Sequence, residues 1–206
     1  MINTKLKQNK KLFNYTTIRV GGIAEYFAEP NTLIELINLI NWAKSKYIQC
    51  QIVGAGSNIL INDILLKGLV ICTKKLKFIK VDIKSGIVNT ECGVMLPTMA
   101  NLLAKNGCEG GEWIIGIPGT IGGAIFMNAG SGDNCISNNL LSVKVIDKKT
   151  LKIFNLKKSE LKFKYRSSSL QDSNLLLLTA KFAFEPNGNA SRITAITRKN
   201  LKKKTE

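Results

Sequence analysis

The sequence predicts an α+β fold in two subdomains, over residues 12–73 and 74–184. One amphipathic helix among short strands suggests the first subdomain. Two hairpin signals and a long apolar strand suggest the second. At 206 residues, with 45% hydrophobic and 21% charged residues, the chain has the composition of a globular protein and enough length to bury a core.

In order along the chain, residues 1–11 read as a polar, basic extension. Residues 25–28 read as a short strand. Thr32-Leu33-Ile34-Glu35 reads as a capping box. Leu33, Leu36, Ile37, Ile40 and Ala43 then give one apolar helical face ending near Ser45. Strands are expected at 51–53 and 68–73. In the second subdomain, residues 78–82 and 87–92 flank Lys84-Ser85-Gly86, a hairpin signal. Pro97 suits a first helical turn and Gly107 a helix stop, with Met99, Leu102 and Leu103 between them. A second hairpin joins residues 143–146 to 152–154 through Asp147-Lys148-Lys149-Thr150. Residues 175–184 read as a buried strand. Residues 191–204 start like a helix with nothing after it to pack against, and residues 185–206 read as a basic helix or linker.

Composition removes several classes of chemistry. There is no histidine, so a Ser-His-Asp triad, a Cys-His pair and a histidine-ligated metal are excluded. The five cysteines, Cys50, Cys72, Cys92, Cys108 and Cys135, are scattered without a Cys-x-x-Cys. They predict reduced, mostly buried thiols, with neither a disulfide framework nor a metal site. No apolar run approaches the ~18 residues of a membrane span, and residues 1–11 lack the apolar core of a signal peptide. The expectation is a cytoplasmic protein without membrane insertion. The net charge is +16, with 30 basic residues of which only Arg19, Arg166, Arg192 and Arg198 are arginine. The lysines are dispersed among Ile and Asn, which predicts a solvated basic surface. A nucleic-acid face would cluster them with stacking aromatics, so no nucleic-acid partner is expected. Such a charge would attract dianionic small molecules.

Two glycine-rich segments carry the chemistry. Residues 116–130 read Gly-Ile-Pro-Gly-Thr-Ile-Gly-Gly-Ala-Ile-Phe-Met-Asn-Ala-Gly, too apolar for a linker. Glycines allow backbone N–H groups to approach a ligand, and successive N–H groups can form an anion-binding concavity. A tight turn between buried strands would use the same residues. The second segment is a short strand running into Gly54-Ala55-Gly56-Ser57-Asn58. It is not a Walker loop, since no Gly-Lys-Ser/Thr follows, and Ile59 replaces the third glycine of a dinucleotide fingerprint. Together the two segments suggest a long ligand held at both ends.

Four segments in one order make the chain similar to a known family. Residues 14–22 (Asn-Tyr-Thr-Thr-Ile-Arg-Val-Gly-Gly), residues 53–60 (Val-Gly-Ala-Gly-Ser-Asn-Ile-Leu), the 116–130 loop and Lys164-Tyr165-Arg166-Ser167-Ser168 resemble the MurB family of UDP-N-acetylenolpyruvoylglucosamine reductases. The resemblance runs from about Leu12 to Arg198. It implies a two-subdomain FAD-binding fold of the PCMH/vanillyl-alcohol-oxidase type, lacking the family's C-terminal domain. It implies non-covalent FAD, NADPH as hydride donor and a nucleotide-sugar substrate of peptidoglycan synthesis. By matching motifs, Gly54, Ala55, Gly56, Ser57 and Asn58 form the pyrophosphate loop. Gly116, Ile117, Pro118, Gly119, Thr120, Gly123, Asn128, Ala129 and Gly130 form the loop near the flavin ring. Arg166 matches the arginine that steadies the enolate, and Tyr165 is placed at the substrate site.

A family serine and glutamate have no match before Glu206, so a separate C-terminal segment is a possible partner. Residues 1–206 alone are expected to turn over poorly. A flavin-binding remnant without turnover, or another flavin oxidoreductase of this fold, would share the same loops.

Overall fold

The computed structural model describes residues 5–202. Residues 1–4 of the basic extension, and Lys203 and Lys204 of the basic tail, lie outside the described residues.

Two sheets divide the chain. The first has the order β1-β2-β4-β3, with β1 Lys7–Lys11, β2 Ile23–Ala28, β3 Cys50–Val53 and β4 Leu65–Cys72. β1 runs antiparallel to β2, whereas β2 and β3 both run parallel to β4. The crossover between β2 and β3 is helix α1, Leu33–Ser45. Thr32 caps it by accepting the Glu35 N–H at 3.2 Å. Glu35 reaches back one residue further than a standard capping box and accepts from the Asn31 N–H at 2.7 Å. Leu36, Leu39, Ile40 and Ala43 are buried. Leu39 belongs to that face, while Leu33 and Ile37 are only partly covered.

β4 shows why this sheet needs cover on both sides. Its alternate residues Leu69 and Ile71 enter the main core with α1. Val70 and Cys72 enter a second cluster with Leu12, Ala24, Phe27 and Ile61. A period of two places successive side chains on opposite faces, so the continuous apolar run Leu69–Cys72 feeds two cores.

The second sheet is wholly antiparallel, in the order β10-β9-β11-β6-β5. Its strands are β5 Ile79–Asp82, β6 Ile87–Glu91, β9 Leu140–Asp147, β10 Ile153–Lys157 and β11 Leu175–Ala183. Both expected hairpins form, with Asp82 opposite Ile87 and Ile146 opposite Ile153. Asp147 fixes the second turn by accepting the Lys149 and Thr150 N–H groups at 2.7 and 2.8 Å. α2, Leu96–Lys105, follows β6 and buries Met99 and Leu103, while Leu102 is half-buried. A two-stranded ribbon, β7 Gly130–Ser131 with β8 Asn134–Cys135, stands apart.

Three expectations need correction. Lys7–Lys11, read as part of a basic extension before the first subdomain, is an edge strand of that subdomain's sheet. Residues 116–130 are not one loop, because they contain helix α3, Ile121–Phe126. Finally, α4, Ala190–Lys202, does find something to pack against. It lies on α2 and on the 3-10 helix Glu112–Gly116. It buries Ile193 and Thr197, donates from Asn200 Nδ2 to the Glu112 carbonyl at 3.2 Å, and pairs Arg192 with Glu109.

Candidate functional site

The open edge of β3 and the start of β11 leave a cavity of about 890 Å³ between the two sheets. That volume lies near the top of the roughly 300–1,000 Å³ range of small-molecule and cofactor sites. Its walls are the β3 edge (residues 49–53), the loop 54–58, residues 117–120, one side of α3, and residues 175–177 of β11.

The two glycine segments meet there. Ser57 Oγ donates to the Pro118 carbonyl at 3.1 Å, joining loops far apart in sequence. A Cβ on Gly54 would overlap Thr120 Oγ1, so only glycine allows this approach. Among the described residues, no hydrogen bond occupies the amide N–H groups of Ala55, Gly56, Ser57 or Asn58. Consecutive free amides beside a cavity form a concavity suited to an anion. The second segment is bolted down from behind. Leu96 N–H donates to the Gly119 carbonyl at 3.0 Å, Ile121 N–H to Val94 at 2.9 Å and Gly122 N–H to Cys92 at 2.8 Å.

Gly56 has φ +70°. A Cβ there would strike the Tyr15 carbonyl oxygen, while the Gly56 carbonyl accepts the Thr17 N–H at 2.9 Å. The glycine is therefore required by the N-terminal segment packed behind the loop. The sequence suggested instead that it clears space for a ligand.

Among the described residues, the cavity wall carries Lys148 and Arg166 and no carboxylate. It favours a negatively charged ligand. Arg166 is exposed and adopts φ +52° in a tight turn closed by the Lys164–Ser167 bridge. No ion pair engages it among the described residues. Its guanidinium lies 5.4 Å from the centre of the Tyr165 ring.

The structure brings residues 54–58 and 117–120, Gly123, Ala129 and Arg166 to the wall. It leaves four expected residues off it. Gly116 closes the 3-10 helix before the loop. Asn128 is buried and turned away, donating from Nδ2 to the Lys164 carbonyl at 2.9 Å. Its Oδ1 has no partner among the described residues. Gly130 is held in the ribbon opposite Cys135. The Tyr165 side chain is 89% exposed and outside the cavity.

Sequence reasoning missed Lys148, Gln171, Ser173 and the β3 edge. Lys148 is one lysine among many in a turn, and nothing in its neighbours marks it. Cys50, also on the wall, is pushed up to about 11 by burial, partly offset by Lys148, so its thiol stays protonated at neutral pH.

The residues fit a long, anionic, partly apolar cofactor, with free amides for the charged middle and Ile117, Phe126 and Leu176 for a flat ring system. Comparison with known proteins agrees. Residues 24–154 match the FAD binding domain family. A UDP-N-acetylenolpyruvoylglucosamine reductase from Prochlorococcus marinus subsp. pastoris (strain CCMP1986 / NIES-2087 / MED4) is 58% identical over 206 residues, covering all of this chain and 70% of the relative. The protein of that name from Synechococcus sp. (strain RCC307) is 40% identical, covering 97% of this chain and 66% of the relative. The chain thus spans about two thirds of the length of these relatives. Among solved structures, MurB from Thermus caldophilus superposes with a TM-score of 0.79 at 24% identity, over all of this chain and 70% of that one. The 6-hydroxy-D-nicotine oxidase of Arthrobacter nicotinovorans gives 0.68 at 14% identity, over 90% of this chain and 43% of that one. The latter two likenesses concern the fold, which is the two-subdomain α+β FAD-binding fold that the sequence predicted. By its sequence relatives, the chain belongs to the UDP-N-acetylenolpyruvoylglucosamine reductase family.

Proposed function

We propose that this chain holds FAD non-covalently in the cavity between its sheets. We further propose that it serves the NADPH-driven reduction of UDP-N-acetylglucosamine enolpyruvate to UDP-N-acetylmuramate, a step of peptidoglycan precursor synthesis. The observation that carries this reading is the row of amides from Ala55 to Asn58 left free among the described residues, locked by Ser57 against Pro118 in a cavity whose described lining has no carboxylate.

The chain's residues would act as follows. The 55–58 amides bind the pyrophosphate charge, and Gly54 lets the second loop close against them. Ile117, Phe126 and Leu176 exclude water from the ring. Bound there, FAD supplies hydride transfer between NADPH and the sugar. Arg166 offers a planar donor fork to the carboxylate and to the anion that develops beside it during reduction. The protein is read as cytoplasmic, and no described helix is long and apolar enough to cross a membrane.

The test is turnover of the enolpyruvyl sugar with NADPH. It compares FAD-loaded residues 1–206, the same chain completed with the remainder of the Prochlorococcus relative, and the completed protein carrying Arg166→Ala. Residues 1–206 should turn over weakly and the completed protein well. Loss of the arginine should reduce kcat by roughly 10²–10³, as for other preorganised charge stabilisers. An inactive completed protein, or an unimpaired Arg166→Ala variant, would overturn the reading.

A further inference from the structure

The backbone of Arg166 is left-handed, at φ +52°. A non-glycine residue holds that conformation only where its surroundings over-determine it. Apolar burial does not, because Lys164, Tyr165 and Arg166 are all exposed. Polar side chains take its place. Asn128 Nδ2 donates to the Lys164 carbonyl at 2.9 Å, and Ser168 Oγ donates to the Phe126 carbonyl at 2.8 Å. Gln171 does more. Its Nε2 lies 3.3 Å from the Arg166 carbonyl, 3.1 Å from the Phe126 carbonyl and 3.2 Å from Met127 Sδ. Its Oε1 accepts from Ser167 Oγ at 3.1 Å. A glutamine amide has two N–H donors and one carbonyl acceptor, and here both ends are engaged.

We propose that Gln171 is the positioning residue for Arg166. It is the side chain that bonds the Arg166 backbone and the end of α3 together. Phe126, Met127 and Gln171 itself all line the cavity. The clamp therefore fixes the guanidinium relative to the wall that would carry the cofactor. This rests on the role proposed above for Arg166, but the clamp can be tested without turnover.

Gln171→Leu removes both donors and the acceptor while keeping an apolar side chain of similar reach. Gln171→Glu keeps the acceptor for Ser167 and loses both N–H donors. Trypsin cuts after arginine, so cleavage between Arg166 and Ser167, followed by mass spectrometry on the FAD-loaded chain, reports opening of this turn. Cleavage there should rise on the order of tenfold or more in both variants, as expected for losing a pair of hydrogen bonds. Cleavage after Lys181, inside β11, should be unchanged. In the completed reductase, kcat should fall while KM for NADPH stays the same. If Gln171→Leu does not fold, Gln171→Glu decides alone. Unaltered cleavage after Arg166 overturns the proposal. So does weakened flavin binding with unaltered cleavage, which would make Gln171 a cofactor contact. A clamp that behaves as described in a completed protein without turnover supports this inference and overturns the proposed function, so the two failures are separable.

Discussion

Gly56 illustrates what a residue's neighbours add to its motif. The Gly-x-Gly-Ser-Asn pattern identified the loop, but the direction of the absent Cβ depends on Tyr15, whose carbonyl oxygen sits where that carbon would go. Gly56→Val should therefore damage the fold before it damages the ligand site. The backbone strain alone is worth about 1–3 kcal/mol, and displacing Tyr15 adds to it. Urea unfolding of the flavin-free chain should show a lower midpoint in this variant. An unchanged midpoint with lost flavin binding would mean that the glycine does face the ligand. At this scale a motif names Gly54, Ser57 and Arg166, which line the cavity, but it also names Gly116 and Gly130, which do not. No motif names Gln171 or Lys148: besides its neighbours Arg166 and Ser167, Gln171 bonds Phe126, 45 residues away, and Lys148 reaches the cavity from a turn remote in sequence from both glycine segments.

Elements were readable where periodicity and turn chemistry agreed. α1 carries its apolar stripe and its Thr32 cap, and both hairpins carry Asp and Ser or Thr in their turns. α3 was hidden by Gly122 and Gly123, each costing a helix about 1 kcal/mol relative to alanine. It forms because Thr120 caps it, accepting the Gly123 N–H at 3.4 Å, and because Ile121 and Ile125 are buried beneath it. A Cβ on Gly122 would stand 3.1 Å from that of Cys92, so the close fit to β6's end favours glycine there. β1 was hidden by its composition, Lys-Gln-Asn-Lys-Lys, which has no apolar face. Such a sequence suits an edge strand, since lysines discourage further strands from adding.

At the scale of the whole molecule, the sheets account for residues 7–72 and 79–183, and the cavity exists only where they meet. Its walls come from segments that no local pattern connects, which is why the β3 edge and residues 175–177 read only as strands. The same burial gives a pH signature. Cys92 is pushed up to about 12 by burial and then by Glu91, Cys50 to about 11 by burial, and Tyr15 to about 12 by burial and then by Glu29. These folded values exceed the ordinary ones of 9.0 for cysteine and 10.0 for tyrosine. The stability they contribute is complete below pH 9 and is lost as pH rises toward 12, because the unfolded chain releases its protons first. Thermal midpoints should therefore fall steadily above pH 9, and Cys92→Ala should flatten that slope. A midpoint that stays level to pH 11 would refute the assignment.

The central claim is that the cavity between the sheets holds FAD through its glycine loops. Gly123 offers the most direct test, because it lines the cavity and a Cβ there meets only Thr120 Oγ1, at 3.7 Å. Gly123→Leu should fill the cavity without straining the backbone. The measurement is a flavin-fluorescence titration of the original chain and this variant, with urea unfolding of both and denaturation of the loaded protein. The account predicts saturable FAD binding by the original chain, full release of flavin on denaturation, and loss of binding in Gly123→Leu at an unchanged unfolding midpoint. Equal binding by both chains, flavin that stays on the denatured polypeptide, or no binding by the original chain would contradict it.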